Sequence, residues 1–165
     1  MDSSAIHFEF PDIFGPYFLE IAGRLLLAMA FGMVLGIDRE ARDKPAGMRS
    51  HMLVSLAAAS LTLMTFAIID ASESFGDTVQ SDPLRVIQAV VAGIAFLGAG
   101  AIIQGRNGVK GITTGASMWV AGAIGIAAGL GHYALATLTT LFAVLVLYIL
   151  GKLERFVKDG AGSDP

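Results

Sequence analysis

GIDREARDKPAGMRSHM, Gly36–Met52, places seven charged side chains of both signs between two nearly uncharged apolar stretches. The stretches on either side, about 18–37 and 50–69, are each roughly 20 residues long, enough to cross a bilayer as a helix. A charged segment joining two such stretches is a loop outside the hydrocarbon, and that reading makes the chain a membrane bundle. The four cations of the loop (Arg39, Arg42, Lys44, Arg49) are almost balanced by Asp38, Glu40 and Asp43. A pure lipid anchor would be overwhelmingly basic. Near-balance points instead to ion pairs that order the loop, with Pro45 and Gly47 making the turn.

The pattern repeats outward from there. Further apolar stretches at about 84–104, 112–130 and 133–150 give five spans, with a tail at 1–17 and another at 151–165. The composition agrees: 55% of residues are hydrophobic and 15% charged, and the mean hydropathy is +0.69. The expected fold class is an all-α integral membrane protein, a five-helix transmembrane bundle at 18–150. None of the five prolines falls inside a span, so nothing forces a kink. The start of the chain lacks a basic n-region and carries Asp2, Glu9 and Asp12, so it is expected to be retained rather than cleaved as a signal peptide.

Sidedness follows from Lys and Arg. Nine of the eleven lie in the opening loop, in GRNGVKG (Arg106, Lys110) or in the tail (Lys152, Arg155, Lys158). The other two, Arg24 and Arg85, lie within spans. Positive charge marks the cytoplasmic side, which places the N-terminus outside and the C-terminus in the cytoplasm.

Lipid tails are as apolar as leucine, so helices in a bilayer associate through close backbone approach and polar contacts. Gly32, Gly36, Gly93, Gly98, Gly111 and Gly115 are the expected packing glycines, and Ser55, Ala59 and Thr62 form a small-residue stripe on the second span. Arg24, Ala28 and Gly32 are echoed by Arg85, Ala89 and Gly93. The fifth span lacks glycine and is expected to face lipid. Arg24 lies within its span, with Glu20 at the favourable i, i+4 spacing. Arg85 has Gln88 nearby. These four residues either snorkel to the outer headgroups or form an outward-facing polar pocket.

Chemistry is sparsely signalled. There are no cysteines, and no phosphate loop, nucleophile elbow or HExxH motif appears. No enzyme activity, cofactor, metal site or nucleic-acid partner is expected. Asp70, Glu73, Asp77 and Asp82 form an acidic loop that matches no metal-binding spacing. His7, His51 and His132 stand near span ends and read as interfacial, and Trp119 reads as a packing residue.

Three stretches carry a family resemblance. GIDREARDKPAGMRSHMLVSLAAA (36–59), GIAFLGAGAII (93–103) and GVKGITTGASMWVAGAIGIAAGLG (108–131) resemble the membrane domain of the MgtC/SapB family. The hallmark positions Arg39, Glu40, Lys44, Ala46, Gly47, Arg49 and His51 are present, with Ser50 where Thr is usual. The resemblance implies a bacterial inner-membrane protein linked to growth in low Mg²⁺ and, in intracellular pathogens, to virulence and survival in macrophages. It implies action on other membrane machinery, the F-type ATP synthase or a transport ATPase. Longer members carry a soluble C-terminal domain, which is not expected after Lys158. Self-association is left open. For the loop itself two readings stand: a salt-bridged lock between two spans, or a cytoplasmic docking site built on Arg39, Glu40, Lys44, Arg49 and His51. A cation transporter remains the alternative function.

Overall fold

The computed structural model describes residues 16–73, 83–105 and 108–161. In chain order they form α1 (Pro16–Glu40), α2 (Met48–Glu73), α3 (Pro83–Gly100), β1 (Ile103–Gly105), β2 (Gly108–Lys110), α4 (Ile112–Gly129) and α5 (Tyr133–Ala161). Three helices, at Tyr17–Glu40, Met48–Ile69 and Ile112–Gly129, are long and apolar enough to cross a membrane. The apolar parts of the other two, Leu84–Gly100 and Tyr133–Ile149, are shorter. The expected tail 1–15, the acidic loop positions Asp77 and Asp82, Arg106 and His7 lie outside the described residues.

The core is the three-way packing of α1, α2 and α4, with α3 laid on α4 and α5 on α4 and α1. Its buried residues are mostly small: Ala28, Ala58, Ala59, Ala121, Ala127 and Ala128, around the larger Leu35 and Ile124. Small residues let backbones approach, which drives association where lipid replaces water. A Cβ at Gly32 would lie 2.6 Å from the His51 carbonyl oxygen, and one at Gly36 would meet Met48 Cα. From α4, a Cβ at Gly129 would sit 2.9 Å from the Ala59 carbonyl, and one at Gly125 would meet that of Ser55. The α2 stripe of Ser55, Ala59 and Thr62 therefore faces α4. Thr62 and Thr65 donate to the carbonyls of Ala58 and Leu61, one turn back, at 2.8 and 2.7 Å. That satisfies the hydroxyls within their own helix.

The glycines divide unevenly. Gly98 and Gly115 bring α3 and α4 backbone to backbone, and Gly111 stands against Ala101. Gly93, expected to pack, has nothing within 4 Å of its would-be Cβ. The echo between Arg24–Gly32 and Arg85–Gly93 thus has no counterpart in packing. The outer surfaces of α3 and α5 are apolar and open: Phe96 is 79% exposed, and Leu141, Phe142 and Val146 face outward.

Two boundaries differ from expectation. The third span was expected to run to Gln104, but α3 stops at Gly100, and Ile103–Gly105 pairs antiparallel with Gly108–Lys110, Ile103 opposite Lys110. Gly105 pairs with Gly108 at the end of the ladder, and Gly108 has φ +107°, a conformation that glycine adopts readily. Helix α5 also runs on to Ala161, so the expected tail from 151 begins as helix.

Candidate functional site

The charged loop of Gly36–Met52 is a tight corner rather than an open loop. Helix α1 ends with Asp43 at φ 49°; the Asp43 and Lys44 amides donate to the carbonyls of Glu40 and Arg39 at 3.1 Å. This double bond is a Schellman end, made here with aspartate in the left-handed position that glycine usually fills. The chain then turns into α2, whose first amide, Met48 N–H, donates to Glu40 Oε2 at 2.9 Å. Glu40 therefore caps the second helix from the end of the first, placing negative charge at a helix N-terminus where the dipole favours it. Its carboxylate occupies the space that a side chain at 47 would need, which is why glycine stands there. Asp38 accepts from Arg42 Nε at 2.8 Å and Nη2 at 2.7 Å. The ordering ion pair expected in this segment is present, one turn apart on α1.

Beneath the corner lies a buried polar cluster. His51 is fully buried (0% exposed), which corrects its reading as an interfacial or docking residue. The ring was expected at the surface because it follows a charged loop, but Gly32 and Gly36 draw α1 onto α2 and α4 closes the third side. His51 Nδ1 bonds the Gly47 carbonyl at 2.8 Å, and Nε2 meets Ser117 Oγ at 2.9 Å. A carbonyl only accepts, so the Nδ1 contact carries a proton. The Ser117 hydroxyl also has the Thr114 carbonyl within 2.9 Å. Arg39, at 4% exposed, is buried too, close enough to His51 for their charges to interact. Of the five expected docking residues, Arg39 and His51 are inside. Glu40, Lys44 and Arg49 are exposed.

Ser117 and Thr114 were not singled out from sequence. The signal was available, since both stand in ITTGASMW, one of the stretches that carry the family resemblance.

The expected outer pocket does not assemble. Arg24 pairs with Glu20 at i, i+4 and reaches across to α4, where Nη1 donates to the Gly129 carbonyl at 2.7 Å. Helix α4 also ends in a Schellman motif: Gly131 (φ +76°) and His132 donate to the carbonyls of Ala128 and Ala127 at 3.0 and 2.9 Å. That motif leaves the last carbonyl, Gly129, for Arg24 to satisfy. The guanidinium lies over Gly131, 3.2 Å from where a Cβ would be. Arg85 and Gln88, on the exposed side of α3, are carried by a helix that packs on α4 and α2, not α1. Four polar residues in sequence are therefore a helix clamp and two separate outward-facing side chains. Arg42 forms a second clamp, lying against Gly151 of α5 as Arg24 lies against Gly131.

Trp119, expected in the packing, is instead 49% exposed on the rim of a groove between α3 and α4. Among the described residues, no group of three or more His, Cys, Asp or Glu is placed to hold a metal ion.

The sequence profile of the MgtC family matches residues 25–156, from about two and a half turns into α1 through most of α5. The chain belongs to the MgtC family. It is 33% identical to Protein SapB of Bacillus subtilis, over 79% of this chain and 56% of that protein. It is 34% identical to the putative magnesium transporter YhiD of Escherichia coli K12, over 79% of this chain and 60% of that one. Against Protein MgtC of Brucella abortus the identity is 36%, over 84% of this chain and 52% of the relative. The chain thus spans between half and three-fifths of these MgtC-family relatives. No solved structure matches. The family's hallmark residues Glu40, Gly47 and His51 form the corner, a cap, a clearance and a buried strut.

Proposed function

We propose that this MgtC-family protein is a regulatory membrane protein for growth in low Mg²⁺, acting on other membrane machinery rather than moving ions itself. In this reading all five helices cross the bacterial inner membrane, with the N-terminus outside and the C-terminus in the cytoplasm. The carrying observation is the interior of α1, α2 and α4. Backbone stands against backbone at Gly32, Gly36, Gly125 and Gly129, and the His51 ring is held on both sides, by the Gly47 carbonyl and by Ser117, which also meets the Thr114 carbonyl. The buried hydroxyls of Ser55 and Thr114 have no hydrogen-bond partner among the described residues. A bundle closed in this way transmits a signal through its surface. The exposed charges at the corner, Lys44 and Arg49, are the contact points toward the cytoplasmic side of a partner, for which the F-type ATP synthase is the leading candidate.

The test is ATP-driven proton pumping in inverted membrane vesicles, with the protein absent or supplied from a plasmid. The proposal expects pumping to fall when the protein is present and to recover in a Lys44→Glu, Arg49→Glu variant of normal abundance. Unchanged pumping would refute it. A second reading, a cation transporter, is favoured by the similarity to YhiD of Escherichia coli, a putative magnesium transporter. Saturable Mg²⁺ flux in liposomes holding the purified protein would establish that reading instead.

A further inference from the structure

An apolar groove runs between α3 and α4. Its walls are Ala95, Gly98 and Ile102 on one side and Gly115, Ala116 and Trp119 on the other. The floor is where Gly98 and Gly115 touch, so the cleft exists because neither residue has a side chain to fill it. From Ile94 to Ile102 it runs about 12 Å along the helix, at 1.5 Å per residue. Every lining side chain is apolar, and the groove opens sideways, toward lipid.

Its end is chemically different. The two walls are joined by the β1–β2 hairpin, which presents Ile103 (59% exposed) and Val109 (51%) beside the exposed Lys110. Immediately after Lys110 comes the start of α4, whose N-cap is Gly111, in the left-handed region, with no side-chain cap and no acidic residue in the first turn. A cation and the positive end of an uncapped helix thus meet at the mouth of an apolar groove. Exposed apolar residues on the hairpin set that mouth at the level where hydrocarbon gives way to headgroups. The occupant complementary to both parts carries an acyl chain and a negative charge about one groove-length apart.

We infer that the α3–α4 groove is a binding site for an anionic phospholipid, with an acyl chain along Gly98, Gly115 and Ala116 and the phosphate met by Lys110 and the start of α4. A zwitterionic lipid fills the groove equally well but gains less at its mouth. A juxtamembrane cation favours an anionic lipid by about five-fold, the equivalent of about 1 kcal/mol.

Trp119 is the chain's only tryptophan and stands on the groove rim, so it reports the occupant directly. The protein is placed in bilayers containing equal mole fractions of phosphatidylglycerol or phosphatidylcholine with dibrominated chains, and quenching of Trp119 is measured. Phosphatidylglycerol should displace phosphatidylcholine about five-fold more strongly than the reverse. Lys110→Gln and Lys110→Glu should bring that ratio to one, and Ala116→Leu, which fills the groove from its lip, should remove the preference in a protein of unchanged helicity. Equal quenching by the two lipids in the unaltered protein overturns the inference, as does a preference that survives both Lys110 variants. Protection of Trp119 from both lipids, with a dimer mass by light scattering, would show that a second copy occupies the groove and would overturn it too.

Discussion

Replacing Gly32 by alanine pits two effects of opposite sign against each other. In a helix interior alanine is favoured over glycine by about 1 kcal/mol. At Gly32 the added methyl would stand 2.6 Å from the His51 carbonyl oxygen and 3.0 Å from both its carbonyl carbon and Met52 Cα. All three are backbone atoms of α2 and cannot rotate away. Restoring an ordinary contact of roughly 3.5 Å moves the helices apart by the better part of an ångström, at the place where α1 and α2 meet His51. Overpacking of this kind costs about 1–3 kcal/mol. Gly93 is the internal control, since its methyl would meet nothing within 4 Å. Gly93→Ala should therefore leave stability unchanged or raise it by up to about 1 kcal/mol, while Gly32→Ala lowers it by about 0–2 kcal/mol net. Thermal unfolding in one detergent, followed by circular dichroism, separates the two by several degrees at about 2–4 °C per kcal/mol. A Gly32→Ala protein as stable as Gly93→Ala would refute the close-contact account of the corner.

Three further outcomes follow from the site geometry. Glu40→Lys should cost about 1–2 kcal/mol by removing the cap on Met48 and putting positive charge at a helix N-terminus. Glu40→Gln keeps an acceptor and should cost less than half of that in the same unfolding assay. Arg24→Gln removes a charged hydrogen bond to the Gly129 carbonyl and should cost about 1.5–3 kcal/mol. A double-mutant cycle with Glu20→Gln should assign under about 1 kcal/mol of it to the half-exposed ion pair; a larger coupling would mean that the pair, not the cap, holds the arginine. Asp43→Gly should stabilise the protein by about 0.5–1 kcal/mol, because φ 49° suits glycine better than aspartate.

Which parts of the molecule could be read from sequence depends on how local their causes are. Apolar runs and their lengths announce helices, and α1, α2, α4 and α5 begin within about two residues of where hydropathy puts them. The Glu20–Arg24 pair is an i, i+4 relation and was legible for the same reason. The short strands Ile103–Gly105 and Gly108–Lys110 were obscured by the glycines and basic residues around them, which read as a loop. What local pattern could not give was partner choice across the bundle. Nothing near His51 in sequence indicates Ser117, 66 positions away, and nothing near Arg24 indicates Gly129, 105 positions away. Glycine frequency was likewise uninformative, because Gly32 and Gly93 differ only in what stands opposite them. The corner shows the same limit: its charges were visible, but their burial was not, and Arg39 and His51 changed from surface candidates to interior ones once α4 closed over them.

The two clamps carry one further consequence. Arg24 on α1 and Arg42, two residues past its end, are separated by about 27 Å at a helical rise of 1.5 Å per residue, and each rests on a glycine flanking the apolar part of α5. That separation is close to the roughly 30 Å hydrocarbon thickness of a bilayer. On the proposed reading, in which α1 and α5 both cross the bilayer, a guanidinium marks each boundary and α5 is pinned to both marks. In a thicker membrane at least one mark is drawn below the headgroups, and in a thinner one apolar turns of α5 are left in water, so either change strains the hold of α1 on α5. The protein's own fold is in this sense matched to one membrane thickness, and its stability should peak there.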